Sequence, residues 1–316
     1  MGKIAFVFPG QGSQSVGMGH DLYTNHPAAQ AYFDRADEAL GFALSDLIFQ
    51  GPEDQLKITY HTQPALLTTS LACLEAFKAA GITPDYVAGH SLGEYSALVA
   101  AGVLAFEDAV RTVRARGEFM EQAVPGGLGA MAAVLGAERE ALAELCKAIT
   151  SGGTVVELAN VNCPGQIVVS GSKEGVQAVV ERCKEAGAKR AIPLEVSGPF
   201  HSSLMKPASE RLAEVLAAIE MSEAAVPVVA NVTARPVTSP ADIRGLLVEQ
   251  VYSPVLWEDT IAYLISEGVD TFIELGSGTV LAGLIKKVDK TVKTVSIGGQ
   301  EALAKYLLEV QEHANR

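Results

Sequence analysis

The chain has 316 residues, 48% of them hydrophobic and 19% charged, with a formal net charge of −13. That composition excludes a disordered chain, and the acidic excess argues against a general affinity for nucleic acid or anionic membranes. The length suits about two domains, or one large domain carrying an insertion.

The N-terminus runs directly into Lys3-Ile4-Ala5-Phe6-Val7-Phe8, a predicted strand too short for the apolar region of a secretory signal and without a cleavage site. No apolar run approaches membrane-spanning length, so a soluble cytoplasmic protein is expected. The strand ends in Pro9-Gly10-Gln11-Gly12-Ser13, where the backbone can approach a ligand closely. No Gly-Lys-Ser/Thr follows, as a Walker loop requires, and Gly10, Gly12 and Gly17 lack dinucleotide spacing. Two readings stay open: an oxyanion hole in which the Gln11 N–H pairs with the Leu92 N–H, or a tight strand-to-loop turn.

Pro64–Ala80 is a predicted helix with Leu67, Leu71, Leu74 and Phe77 at three-to-four spacing. Asp85-Tyr86-Val87-Ala88 then reads as a short strand and Glu94 to Ala101 as an alanine-rich helix. Between them stands Gly89-His90-Ser91-Leu92-Gly93, which fits G-x-S-x-G, the nucleophile elbow. Its glycines make room for a sharp turn, and its serine meets a helix N-terminus whose free N–H groups can receive developing negative charge. A helix over Phe106–Val124 carries Arg116. An arginine there faces solvent by default; pointed into a pocket, its planar fork suits a carboxylate.

Pro125-Gly126-Gly127 breaks the chain, and the rhythm changes. Leu128–Leu135, Thr154–Val161, Gln166–Ser170 and Lys189–Leu194 are predicted strands, with helices over Glu138–Ile149 and Lys173–Ala186. That order, βαββαβ, is the ferredoxin-like pattern and is self-sufficient as a small domain over 127–196. Residues 1–126 and 197–316 then form a larger α/β domain with a mainly parallel sheet. Its second part contains predicted strands at Pro227–Ala230 and Thr271–Leu275, and helices at Ala208–Ile219, Trp257–Ser266 and Ala302–Glu312. The four cysteines, Cys73, Cys146, Cys163 and Cys183, are scattered without zinc-ligand spacing and read as buried apolar residues.

A serine hydroxyl is a poor nucleophile until a base takes its proton. Six histidines are available. His90 lies within the elbow and points elsewhere, while His20, His26, His61 and His313 read as surface residues. His201 is the candidate base: it follows the turn Ser197-Gly198-Pro199-Phe200 after a strand and is expected to open the helix running toward Leu216. Functional groups of α/β folds gather at such strand ends. The group that orients it stays open among Asp242, Asp259, Asp270, Glu274 and a backbone carbonyl.

Taken together, Phe8-Pro9-Gly10-Gln11-Gly12-Ser13-Gln14, Gly89-His90-Ser91-Leu92-Gly93-Glu94-Tyr95, Arg116-Gly117, Asn160, Gly198-Pro199-Phe200-His201-Ser202, Gln250 to Trp257 and Glu274-Leu275-Gly276-Ser277-Gly278 resemble the malonyl-CoA:acyl-carrier-protein transacylases. The resemblance spans the chain in order. It departs at Ser277, where proline is common, which touches no proposed catalytic role. The resemblance implies an α/β-hydrolase-like large domain carrying the ferredoxin-like insertion. It also implies malonyl transfer from malonyl-CoA to the phosphopantetheine thiol of acyl carrier protein through a malonyl-serine, with no cofactor and no metal. Ser91 would be the nucleophile, His201 its base and the Gln250 carbonyl the orienting group. Gln11 and Leu92 would form the oxyanion hole. Arg116 would clamp the malonyl carboxylate, with Asn160 at the cleft and Phe200 fitting the malonyl-selective pattern. Carrier proteins are acidic, so Lys184, Lys189, Arg190, Lys286 and Lys287 are docking candidates or, equally, ordinary solvated cations. The competing readings are a serine thioesterase or esterase and a non-catalytic acyl-CoA or carrier-protein binder.

Overall fold

In the computed structural model, which describes residues 2–314, the first strand forms at its expected bounds, Lys3–Phe8 (β1). Its alternating side chains enter two different cores: Phe6 and Phe8 join the larger one, while Ala5 and Val7 join a second cluster around Trp257 and Phe272. A strand covered on both faces is what a parallel sheet between helical layers demands. The remaining strands are β2 (Tyr86–Gly89), β3 (Gly129–Leu135), β4 (Val156–Cys163), β5 (Gln166–Ser172), β6 (Arg190–Pro193), β7 (Val228–Val229), β8 (Pro236–Val237), β9 (Val255–Leu256), β10 (Val269–Leu275) and β11 (Lys293–Ile297).

They form two sheets in a mixed α/β architecture. One has the order β11-β10-β1-β2-β7-β8 and is parallel except for the last pair. The other, β6-β3-β5-β4-β9, is antiparallel except that β9, contributed from far along the chain, runs parallel to β4. Helices Arg139–Ser151 and Lys173–Arg182 bury Leu142, Cys146, Ile149, Val176 and Val179 against this second sheet.

Two local expectations are corrected. The helix placed from Pro64 begins at Thr59, so Pro64 lies inside it. Proline removes the hydrogen bond to the carbonyl four residues back, and the freed Tyr60 oxygen is taken instead by Arg114 Nη1 at 3.2 Å. His201 does not open a helix: a 3-10 turn spans Ser203–Met205 and the α-helix begins at Lys206. Among the described residues, no helix is long and apolar enough to cross a membrane.

Candidate active site

The elbow forms where β2 meets the helix Gly93–Ala100. A Cβ on Gly89 would stand 1.9 Å from the Gly93 carbonyl, and one on Gly93 would stand 2.1 Å from the Phe8 oxygen, so no larger residue fits either position. Ser91 between them sits at φ 51, a left-handed conformation that costs a non-glycine residue about 1–2 kcal/mol. Asn231 holds the turn on both sides, accepting the Ser91 N–H at 2.8 Å and donating Nδ2 to the Gly89 carbonyl at 2.7 Å. Among the described residues, neither the Leu92 N–H nor the Gln11 N–H finds an acceptor within the protein. Both residues line the cavity above the serine.

Ser91 Oγ lies 2.8 Å from His201 Nε2, joining residues 110 positions apart. His201 Nδ1 lies 2.8 Å from the Gln250 main-chain oxygen. A carbonyl only accepts, so Nδ1 carries the proton, Nε2 is bare, and Ser91 donates its hydroxyl proton to it. The Gln250 oxygen is available because Gln250 is the last residue of the helix Pro240–Gln250, where carbonyls have no partner within the helix and the dipole is negative. None of the four carboxylates considered for this role takes it. Asp259 pairs with Arg139, Glu274 accepts the Leu281 and Ala282 N–H groups, Asp270 accepts from Thr271, and Asp242 is exposed in the first turn of the Gln250 helix. Burial, followed by the Arg116 charge, holds the His201 pKa down to about 3. The imidazole is therefore neutral and able to accept a proton across the physiological range.

Arg116 does not face solvent; it is 1% exposed. A Cβ on the adjacent Gly117 would come within 2.5 Å of Tyr60 Cα. That close approach of two helices brings Arg116 Nη1 to Gln63 Oε1 at 2.8 Å, while Nη2 reaches Gln250 Oε1 at 2.9 Å and Ser91 Oγ at 3.2 Å. No carboxylate pairs with it among the described residues, and its Nε is buried without a partner. Burial lowers its pKa, an effect that Tyr95 and Glu94 oppose. A buried guanidinium satisfied only by neutral oxygens is a strong site for an incoming carboxylate.

The cavity is about 120 Å³ and opens over Ser91, with Arg116 and His201 in its lining. Met120, Met131, Val168, Leu194, Val196 and Phe200 supply an apolar wall. Asn160 also lines it, and its Oδ1 is buried with no partner.

Gln63, Asn162 and Asn231 escaped the sequence reading, as did several contacts of residues it named. Gln250 contributes its side chain as well as its carbonyl: Nε2 donates to Glu94 Oε2 at 2.8 Å, to the Ser91 carbonyl at 3.0 Å and to Asn231 Oδ1 at 3.2 Å. Burial pushes the Glu94 carboxyl up to about 7, against the Asn231 N–H, Gln250 and Arg116. His90 turns away from the serine to Asn162 Oδ1 at 2.8 Å. Of the other histidines, His20 is exposed and His26 and His61 are half-buried; the side chain of His313 lies outside the described residues. All four cysteines are buried as free thiols, and burial raises Cys73 and Cys146 to about 12. Lys184, Lys189, Arg190 and Lys287 are exposed, whereas Lys286 is half-buried and donates to the Lys290 and Val292 carbonyls.

Residues 5–308 match the family described as acyl transferase domain. A malonyl CoA-acyl carrier protein transacylase of Bacillus subtilis (strain 168) is 60% identical over 303 residues, covering 96% of each chain. An acyl carrier protein S-malonyltransferase structure from Vibrio cholerae superposes with a TM-score of 0.94 at 45% identity, over 96% of this chain and 99% of that one. A malonyl-transacylase solved in complex with its type II PKS acyl-carrier protein gives the same TM-score at 44% identity, over 97% and 99%.

Proposed function

Because the chain belongs to the acyl transferase family, and within it to the malonyl-CoA:acyl-carrier-protein transacylases, we propose that its cleft runs a two-step serine relay. The enzyme moves malonyl from malonyl-CoA to the phosphopantetheine thiol of acyl carrier protein. The observation that carries the residue roles is the 2.8 Å contact of Ser91 Oγ with His201 Nε2, in a cavity that also presents the unpaired Arg116.

In the first step, His201 Nε2 takes the Ser91 proton as Oγ attacks the thioester carbonyl carbon. The tetrahedral oxyanion falls to the Gln11 and Leu92 N–H groups, whose lack of other acceptors supports that role. The C–S bond breaks, and the coenzyme A sulfur leaves with the proton from His201. In the second step the carrier thiol gives its proton to His201 and attacks the malonyl-serine ester, and Ser91 departs with that proton. The Gln250 carbonyl keeps His201 in the required tautomer. Arg116 holds the malonyl carboxylate, and pairing it with that anion offsets the positive charge that disfavours imidazolium. Asn160 and Phe200 complete the acyl site. Every group in this cycle belongs to the chain or its substrates, so the reading calls for no cofactor.

The same reading assigns 127–196 to a ferredoxin-like insertion, supported by the order β6-β3-β5-β4. It assigns 1–126 and 197–316 to an α/β-hydrolase-like domain, supported by an elbow at the end of a parallel strand. Lys184, Lys189, Arg190 and Lys287, exposed and outside any ion pair among the described residues, support docking of an acidic carrier; Lys286 is tied to backbone carbonyls and contributes less. A cytoplasmic setting remains part of the proposal.

The test separates transfer from hydrolysis. With malonyl-CoA supplied, holo acyl carrier protein should become malonylated far faster than free malonate appears in its absence. Comparable rates would instead identify a thioesterase.

A further inference from the structure

Three strands of the antiparallel sheet reach the site: β3 with Met131, β5 with Val168 and β4 with Asn160. β4 pairs with β5 in a register that slips twice, between Leu158 and Asn160 and between Val161 and Cys163. Each slip adds a residue to β4 and re-aims the side chains around it. Strict alternation would group Glu157 with Ala159 and Val161. Instead Val161 enters the core of the antiparallel sheet, and Asn160 and Asn162 reach toward the cleft. Asn160 lines the cavity, and Asn162 meets His90 of the elbow.

Glu157 reaches the segment that follows His201. Ser203 opens the 3-10 turn Ser203–Met205, so its N–H has no partner within that turn. Glu157 Oε2 accepts it at 2.6 Å, a charge-assisted bond across the boundary between the sheets. Two residues earlier His201 is held at φ 56. A non-glycine residue keeps such a conformation only where its surroundings over-determine it. On one side Nδ1 is tied to Gln250, and the Ser202 hydroxyl is tied to the Pro199 carbonyl at 2.7 Å. On the other, the Ser203 N–H is tied to Glu157.

We propose that Glu157 is a positioning residue for His201: from a strand of the antiparallel sheet it anchors Ser203 and so holds the imidazole on Ser91. This rests on the reading of His201 as the base. Without the anchor the turn relaxes toward right-handed backbone and Nε2 swings off the serine, while Arg116 and the apolar wall of the cavity stay in place.

The experiment compares Glu157→Ala and Glu157→Gln with wild type by rapid-quench intact mass, following acylation by malonyl-CoA alone, together with thermal melting. Glu157→Ala should melt cooperatively and acylate about tenfold to a hundredfold more slowly, the effect of a small displacement of reacting groups. Half-saturation by malonyl-CoA should be unchanged. Glu157→Gln retains an acceptor oxygen and should recover nearly the wild-type rate. Wild-type acylation in Glu157→Ala would overturn the proposal, as would a Glu157→Gln variant as slow as the alanine. If wild type itself takes no malonyl adduct, the reading of Ser91 and His201 falls instead.

Discussion

Replacing Ser91 with alanine should lower malonyl transfer about 10⁴-fold or more, the scale on which removal of a serine nucleophile acts when binding and oxyanion groups survive. The loss is expected in the rate constant and not in malonyl-CoA binding, because the acyl site is built by other residues. Arg116 keeps its bonds to Gln63 and Gln250 without the serine hydroxyl. Alanine suits the position structurally: it carries the same Cβ at φ 51, and the Asn231 contact is to the backbone N–H. Melting should therefore change little. Steady-state turnover with malonyl-CoA and holo acyl carrier protein, alongside a melting curve, checks both halves. A variant that retains a tenth of wild-type turnover would require another nucleophile or direct transfer between thiols.

Replacing Arg116 with alanine should divide the substrates. The wild-type guanidinium is buried among neutral oxygens, and a malonyl carboxylate supplies the anion it lacks. Breaking a buried, hydrogen-bonded pair of this kind costs about 3–5 kcal/mol, which corresponds to a fall of roughly 10²- to nearly 10⁴-fold in kcat/KM for malonyl-CoA. Acetyl-CoA has no carboxylate. In wild type it leaves the guanidinium unpaired, and Arg116 remains bonded to the Ser91 oxygen. Acetyl transfer by the variant should therefore hold steady or rise. Competition assays with the two donors give the ratio directly, and equal losses with both would show that Arg116 supports the fold and does not read the carboxylate.

The elbow around Ser91 was legible because its signal is local. The strand, the close-packed Gly89 and Gly93 and the helix that follows all lie between Tyr86 and Ala100, and the structure adds the reason, a carbonyl where each Cβ would stand. His201 was legible as a residue at a strand end, but its left-handed backbone was not. A helix was expected there, whereas a 3-10 turn intervenes. The Gln250 carbonyl came from the family resemblance alone, and residue patterns left the orienting group open for a different reason. It is a main-chain carbonyl, so no side-chain pattern marks it, and its helix Pro240–Gln250 went unread although Ile243 and Leu247 stand four apart.

Burial of Arg116 depends on Gln63 and Gln250 from two other helices, contacts that no single-segment pattern contains. The helices between β1 and Thr59 were also left unread: His20–Asn25, Pro27–Leu40, Leu44–Gln50 and Glu53–Leu56. The longest of them buries mainly small residues, Ala29 and Ala36 beside Phe33, which weakens the periodic signal. Pro64 misled in the opposite direction. A proline usually starts a helix, but this one sits inside, where Arg114 takes up the Tyr60 carbonyl that it leaves free.

The central claim is a malonyl group carried on one hydroxyl between two thiols. Acid-quenched wild-type enzyme, digested and mapped by mass spectrometry, tests it most directly. Malonyl-CoA alone should place a single malonyl ester on the peptide containing Ser91, and holo acyl carrier protein should then discharge it at least as fast as overall turnover. An ester on another residue, or one that persists while the carrier is being malonylated, would contradict the account.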